Sequence, residues 1–179
     1  SGPYDAKGLL ISAIRDPDPV VFFEPKKIYR AIKEEVPDGD YAIPLGKANI
    51  IQGGTDVTLI SYGAWVKTAK EAIVKLSGIS VELIDLRTLS PLDTETIINS
   101  VRKTGKCVIV QEAPRTLGLA AEIIARINDK ALYSLEAPIE RVAGFDTIVP
   151  LRLFEDYYLP SVNKIVDAVE RVMRATEGK

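Results

Sequence analysis

VTLISYGAWVKTAKEAIVKLSGISVELIDL, residues 57–86, contains a complete strand–helix–strand unit. Its two ends, VTLISY (57–62) and SVELIDL (80–86), are short, rich in β-branched residues and bounded by Gly or Ser, which predicts strands. Between them AWVKTAKEAIVKL (64–76) places apolar residues at helical spacing with charges opposite, which predicts an amphipathic helix. A helical crossover of that length joins parallel strands, so this unit sets the architecture.

The pattern continues outward. CVIVQE (107–112) and IERVAG (139–144) read as strands, and TETIINSVRK (94–103) and GLAAEIIARINDKAL (118–132) as helices. A last helix follows Ser161, a capping residue, with Val162, Ile165, Val169, Val172 and Met173 on one stripe. This order predicts an α/β fold of three αβα layers with a mainly parallel sheet, helices on both faces and an antiparallel strand at one edge. In such sheets ligands and partners gather at the strands' carboxyl ends, where Asp85–Ser90 and Gln111–Thr116 fall.

Residues 1–50 break the repeat. AKGLLISAIRD (6–16) reads as a helix and PVVFFE (19–24) as a strand, followed by a connector rich in Pro and Gly. A lone helix–strand pair cannot close a core, so residues 1–50 are expected to be the tail of a preceding domain plus a linker, and 51–179 the domain itself.

Composition excludes several classes. With 23 basic and 25 acidic residues the net charge is -2, which offers no field for nucleic acid or an anionic membrane. No apolar run approaches the roughly 18 residues of a membrane span, and the lone Cys107 lies inside an apolar run, so a soluble, cytoplasmic protein in a reducing compartment is expected. The absence of histidine removes the commonest general base and any Cys/His metal cluster.

Some polar constellations stand out. IRDPD (14–18) sets Asp16 and Asp18 at a helix-to-strand turn, where oxygen ligands could meet a hard cation or an Asx turn could form. QEAPRT (111–116) puts Gln111, Glu112 and Arg115 at a strand end, with Glu112–Arg115 or Arg87–Glu112 the expected ion pair. Glu136, Glu140, Glu155 and Asp156 form an acidic run that is either a solvated face or a docking surface for a basic partner. Of the aromatics Phe145, Phe154, Tyr157 and Tyr158, some are expected at a subunit interface.

PYDAKGLLISAIRDPDPVVFFEPKKIYRA, IPLGKA, GTDVTLISYGAWV, VELIDLRTLSPLD, KTGKCVIVQEAP and APIERVAGFDT together resemble, in order and spacing, the β subunit of the thiamin-diphosphate-dependent decarboxylating component of 2-oxo acid dehydrogenase complexes. FFEPK followed by YRA looks more like the branched-chain than the pyruvate type. The likeness is to the carboxyl-terminal half of that subunit, of transketolase type. It implies that the cofactor-activating glutamate and an active-site histidine belong to a missing upstream half. No catalytic or cofactor-binding residue is therefore carried over, and the chain alone is expected to be inactive and to bind neither thiamin diphosphate nor its magnesium.

The resemblance further implies a structural potassium ion held by main-chain oxygens of Ala13 and Ile14 and by Asp16 and Asp18. It implies an α2β2 assembly with an α subunit and a second β subunit, and docking of a basic subunit-binding domain of the lipoyl acyltransferase core on Glu136 and its acidic neighbours. The rival readings are the matching domain of a transketolase or deoxyxylulose-phosphate synthase, against which the absence of histidine counts, and a free-standing α/β interaction module.

Overall fold

The structure, a computed structural model, describes residues 1–175. Its sheet has five strands: β1 (Asn49–Gln52), β2 (Val57–Ser61), β3 (Val81–Asp85), β4 (Cys107–Pro114) and β5 (Glu140–Gly144). Their order is β1-β3-β2-β4-β5, with β1 antiparallel to β3 and the remaining pairs parallel. The expected antiparallel edge strand is therefore β1.

Six helices accompany the sheet: α1 (Pro3–Arg15), α2 (Trp65–Lys75), α3 (Thr94–Thr104), α4 (Leu119–Ala131), α5 (Arg152–Tyr158) and α6 (Val162–Arg174). Alternate residues of each strand feed two cores. Leu59, Leu83, Val108 and Val110 pack with α2 and α6 on one face, while Ile60, Ile84 and Ile109 pack with α3 and α4 on the other. Both faces are covered, so β2 and β3 are buried at every position, including the polar Thr58, Ser61, Glu82 and Asp85, and their apolar residues do not alternate strictly with polar ones.

Local chemistry sets the ends of α3. Asp93 caps its start, accepting from the Thr96 N–H at 3.2 Å, and Gly105 ends it at φ 68, a left-handed geometry that disfavours side chains. A β-carbon at Gly105 would also press on the Glu136 side chain at 2.7 Å, because the chain passes close there on its way to β5.

One expectation fails upstream of the sheet. PVVFFE forms no strand: residues 19–24 are irregular, and Val21 and Phe23 are exposed. Pro17, Pro19 and Pro25 remove backbone donors around it, and a strand without a ladder partner has nothing to hold it. Downstream of β5 the chain forms the short helix α5 before Ser161 caps α6.

The two cores make a test of position against chemistry. Ile109→Ala, fully buried between β2 and β5, should cost about 2–5 kcal/mol, whereas Val74→Ala on the exposed side of α2 should stay within about 0.5 kcal/mol, both read by urea denaturation.

Candidate functional site

In this topology β2 leads to α2 on one face and β4 leads to α4 on the other, so the crevice between their carboxyl ends is the switch point where such sheets take ligands. Here the chain's own side chains fill it. Trp65, at the start of α2, donates its indole N–H to Glu112 at 3.0 Å, and the Lys27 ammonium lies 4.6 Å above its ring centre. Burial, with the Glu112 charge added, pushes the nearby Tyr62 hydroxyl above its usual pKa. Gln111 caps α4 by accepting from the Ala120 N–H at 2.7 Å and donates to the Ala113 and Pro114 carbonyls.

This corrects the expected ion pairs. Glu112 turns to Trp65 instead of Arg115 or Arg87, because its place on β4 points it at the face carrying α2. Arg115 is held by its backbone, its N–H donating to the Gly144 carbonyl at 3.1 Å and its own carbonyl accepting from Arg141 at 2.9 Å. Among the described residues no group of three or more His, Cys, Asp or Glu could hold a metal ion. Gln111 thus occupies the first turn of α4, the place where backbone N–H groups of such a helix would meet an anion.

The polar loop between β3 and α3 has a different use. Arg87 pairs with Asp5 of α1 at 2.6 Å, and Asp85 and Asp5 share the amino group of Ser1 at 2.9 and 2.5 Å. Thr88 Oγ1 accepts from the Gly46 N–H at 3.0 Å, and Asp93 Oδ2 accepts from the Ala48 N–H at 3.0 Å while its other oxygen caps α3. Four polar residues of one loop thus each hold a point on residues 1–48. Burial alone would raise the pKa of Asp5, but the Ser1 ammonium and the Arg87 guanidinium outweigh it and hold it below the usual carboxylate value. Asp93 is likewise held low, its burial outweighed by the donors of Ala48 and Thr96.

At the carboxyl end of α1, Ser12 O accepts from the Asp16 N–H at 3.0 Å. The next carbonyl, that of Ala13, faces Pro17, which has no N–H, and the Asp18 N–H that could serve Ile14 donates instead to Asp16 Oδ1 at 3.0 Å. The Asx turn forms, and it leaves the carbonyls of Ala13 and Ile14 without their helical donors. That donor set fits a hard cation.

The acidic residues do not form one surface. Glu136 meets Lys106 at 2.6 Å beside the start of β4, and Glu140, opening β5, meets Arg171 near the end of α6 at 3.2 Å, both at the sheet's amino edge. Glu155 and Asp156 are exposed on α5, which follows the carboxyl end of β5. A five-residue strand of roughly 17 Å separates the two pairs. Of the aromatics, Tyr158 is buried against Gly144, whereas Phe145, Phe154 and Tyr157 are exposed.

Residues 46–165 match the family described as the transketolase C-terminal domain. The chain is 52% identical over 177 residues to the pyruvate dehydrogenase E1 component subunit beta of Acholeplasma laidlawii, covering 98% of this chain and 54% of that one. It is 51% identical over 175 residues to the subunit of the same name from Bacillus subtilis (strain 168), covering 97% and 54%. The Staphylococcus aureus subunit is 50% identical over 175 residues, at the same coverage of 97% and 54%. The chain thus spans about half the length of the curated relatives it matches. A solved structure titled split gene transketolase, inactive beta4 tetramer, aligns with TM-score 0.66 at 24% identity over 80% of this chain and 46% of that one, a likeness of fold.

The lowered pKa values carry a sign. A carboxyl depressed in the folded state contributes stability above its unfolded value, 3.8 for Asp5 and Asp93, and loses it as pH falls through the folded one. Amide exchange should therefore show α1 unchanged from neutral pH to about pH 5 and loosening below the unfolded value, while β2 and β4, held by apolar packing, stay protected.

Proposed function

We propose, from the premise that the chain belongs to the transketolase C-terminal-domain family, that it is the carboxyl-terminal part of the β subunit of a 2-oxo acid dehydrogenase and serves there in assembly and docking. The observation that carries this reading is the likeness, across nearly the whole chain, to one and the same subunit in three bacteria. Those relatives are of the pyruvate type and favour pyruvate as the substrate; the branched-chain alternative rests on FFEPK and YRA alone.

The full enzyme of this reading decarboxylates a 2-oxo acid on thiamin diphosphate and passes the acyl group to a lipoyl arm, in the cytoplasm. This chain supplies no residue for that chemistry; the switch point filled by Trp65, Glu112 and Gln111 supports a role away from the cofactor. The bare carbonyls of Ala13 and Ile14, with Asp16 and Asp18 beside them, are the proposed seat of a structural potassium ion.

Assembly with an α subunit and a second β subunit is supported by apolar surface that a lone chain leaves wet. Phe145, Ile148, Leu151, Leu153 and Phe154 are all more than half exposed along one stretch, far more than scattered surface residues would give. Docking of the acyltransferase's basic domain is assigned to the amino edge. There Glu136 rims a shallow hollow of about 440 Å³ floored by Ile124, Leu135, Ala137 and Ile139, with Glu140 close along the chain. Glu155 and Asp156, at the other end, form a second and separate acidic patch on this reading.

Surface plasmon resonance of this chain against the subunit-binding domain, at low and high salt, tests the docking role. Association should slow as the Debye length shrinks from roughly 10 Å to 3 Å, and Glu136→Gln should weaken binding by at least about tenfold if Glu136 leaves Lys106 for a desolvated arginine of the partner. Equal affinity of both proteins would remove Glu136 from the interface, and no binding at all would remove the docking role.

A further inference from the structure

Arg87 is held at two costs. Its backbone sits at φ 57, in the left-handed region that disfavours a long side chain, and its buried Nε has no hydrogen-bond partner among the described residues. Costs of this kind persist only where the surroundings over-determine the residue. What determines Arg87 is visible: its N–H donates to Asp85 Oδ1 at 3.1 Å, turning the chain at the end of β3, and its Nη2 then reaches Asp5 across 82 residues of sequence.

The rest of the loop acts in the same direction. Thr88 takes the Gly46 N–H, and the single carboxylate of Asp93 both caps α3 and takes the Ala48 N–H. On the other side, α1 is packed to the returning chain. Gly8 lies so close to Ile43 and Tyr41 that a β-carbon would meet both within 2.8 Å, Ser12 donates to the Ile43 carbonyl at 2.5 Å, and Tyr4 stacks on Tyr41 at 4.6 Å between ring centres. α1 and residues 40–48 are therefore one packed piece, and the matched domain grips it at the β3–α3 loop.

We propose that the β3–α3 loop is a conformational clasp, in which Arg87 is a positioning residue that fixes the α1 segment on the sheet while contributing nothing to the stability of the domain beneath it. The segment it holds lies almost wholly outside the stretch that matches the family, so the clasp sets how whatever is continuous with α1 is oriented on the family domain. The inference stands on the geometry of this loop and does not require the functional reading above.

A double-mutant cycle on the whole chain decides it. Arg87→Asn keeps a residue that tolerates positive φ but cannot reach Asp5, and Asp5→Asn keeps shape while removing charge. Each should raise the amide exchange of α1 (residues 3–15) by at least about tenfold, as expected for a lost charged hydrogen bond, and the double variant should do no more than either single one. Exchange in β2 and β4 and the urea midpoint of the domain should be unchanged or improved, since Arg87→Asn relieves strain. A uniform rise in exchange across α1, β2 and β4 would make Arg87 an ordinary structural residue and overturn the clasp, as would an unaltered α1 or additive effects of the two substitutions.

Discussion

The ion pair between Arg87 and Asp5 joins two parts of the chain that would otherwise share little. Asp85 ends β3 fully buried, and a buried carboxylate must be met by donors. The backbone N–H of Arg87 answers one of its oxygens, and the Arg87 guanidinium then extends to Asp5, so a polar link runs from the sheet's edge into α1. Remove it and α1 keeps its packing on residues 40–48 but loses its direct charged tie to the β3–α3 loop. The energetic order matters here. The two apolar cores hold the sheet and its helices and are indifferent to pH, whereas the clasp is polar, local and acid-sensitive, so the two parts can loosen independently.

The switch point of the sheet is likewise taken up by contacts between the chain's own side chains. The crevice between β2 and β4 is closed by Trp65 against Glu112 and by Gln111 on the first turn of α4. What remains open lies on the outside: the apolar run from Phe145 to Phe154 and the acid-rimmed hollow at Glu136. A fold whose interior is committed and whose surface is unfinished suits a part of an assembly, which is the role proposed for it.

Periodicity made the parallel strands and their helices legible, because a strand buried on both faces and an amphipathic helix each leave a local signature; the observed ends of β2, β3 and β5 fall within one residue of the pattern. PVVFFE carries the same local signature and forms no strand, since a strand also needs a neighbour to pair with, and prolines interrupt the chain on both sides. The polar stretch after β3 was visibly out of place in the sequence, yet its partners Asp5, Gly46 and Ala48 lie some forty to eighty residues away, and no local pattern names them. Charge alone pairs Glu112 with an arginine, whereas the alternation of β4 aims it at an indole N–H. The four acidic residues were grouped by composition, and the length of a strand divides them. In each case the element was local and the pairing was not.

The Arg87–Asp5 pair requires α1 to keep one fixed position on the family domain. Spin labels at Ile14→Cys on α1 and Val74→Cys on α2, both exposed sites, would report it directly by double electron–electron resonance, with Cys107 buried and its thiol pushed up in pKa by that burial, out of reach of the label. The clasp predicts a single narrow distance distribution at neutral pH that broadens on adding Arg87→Asn. A broad distribution in the unaltered chain would contradict it.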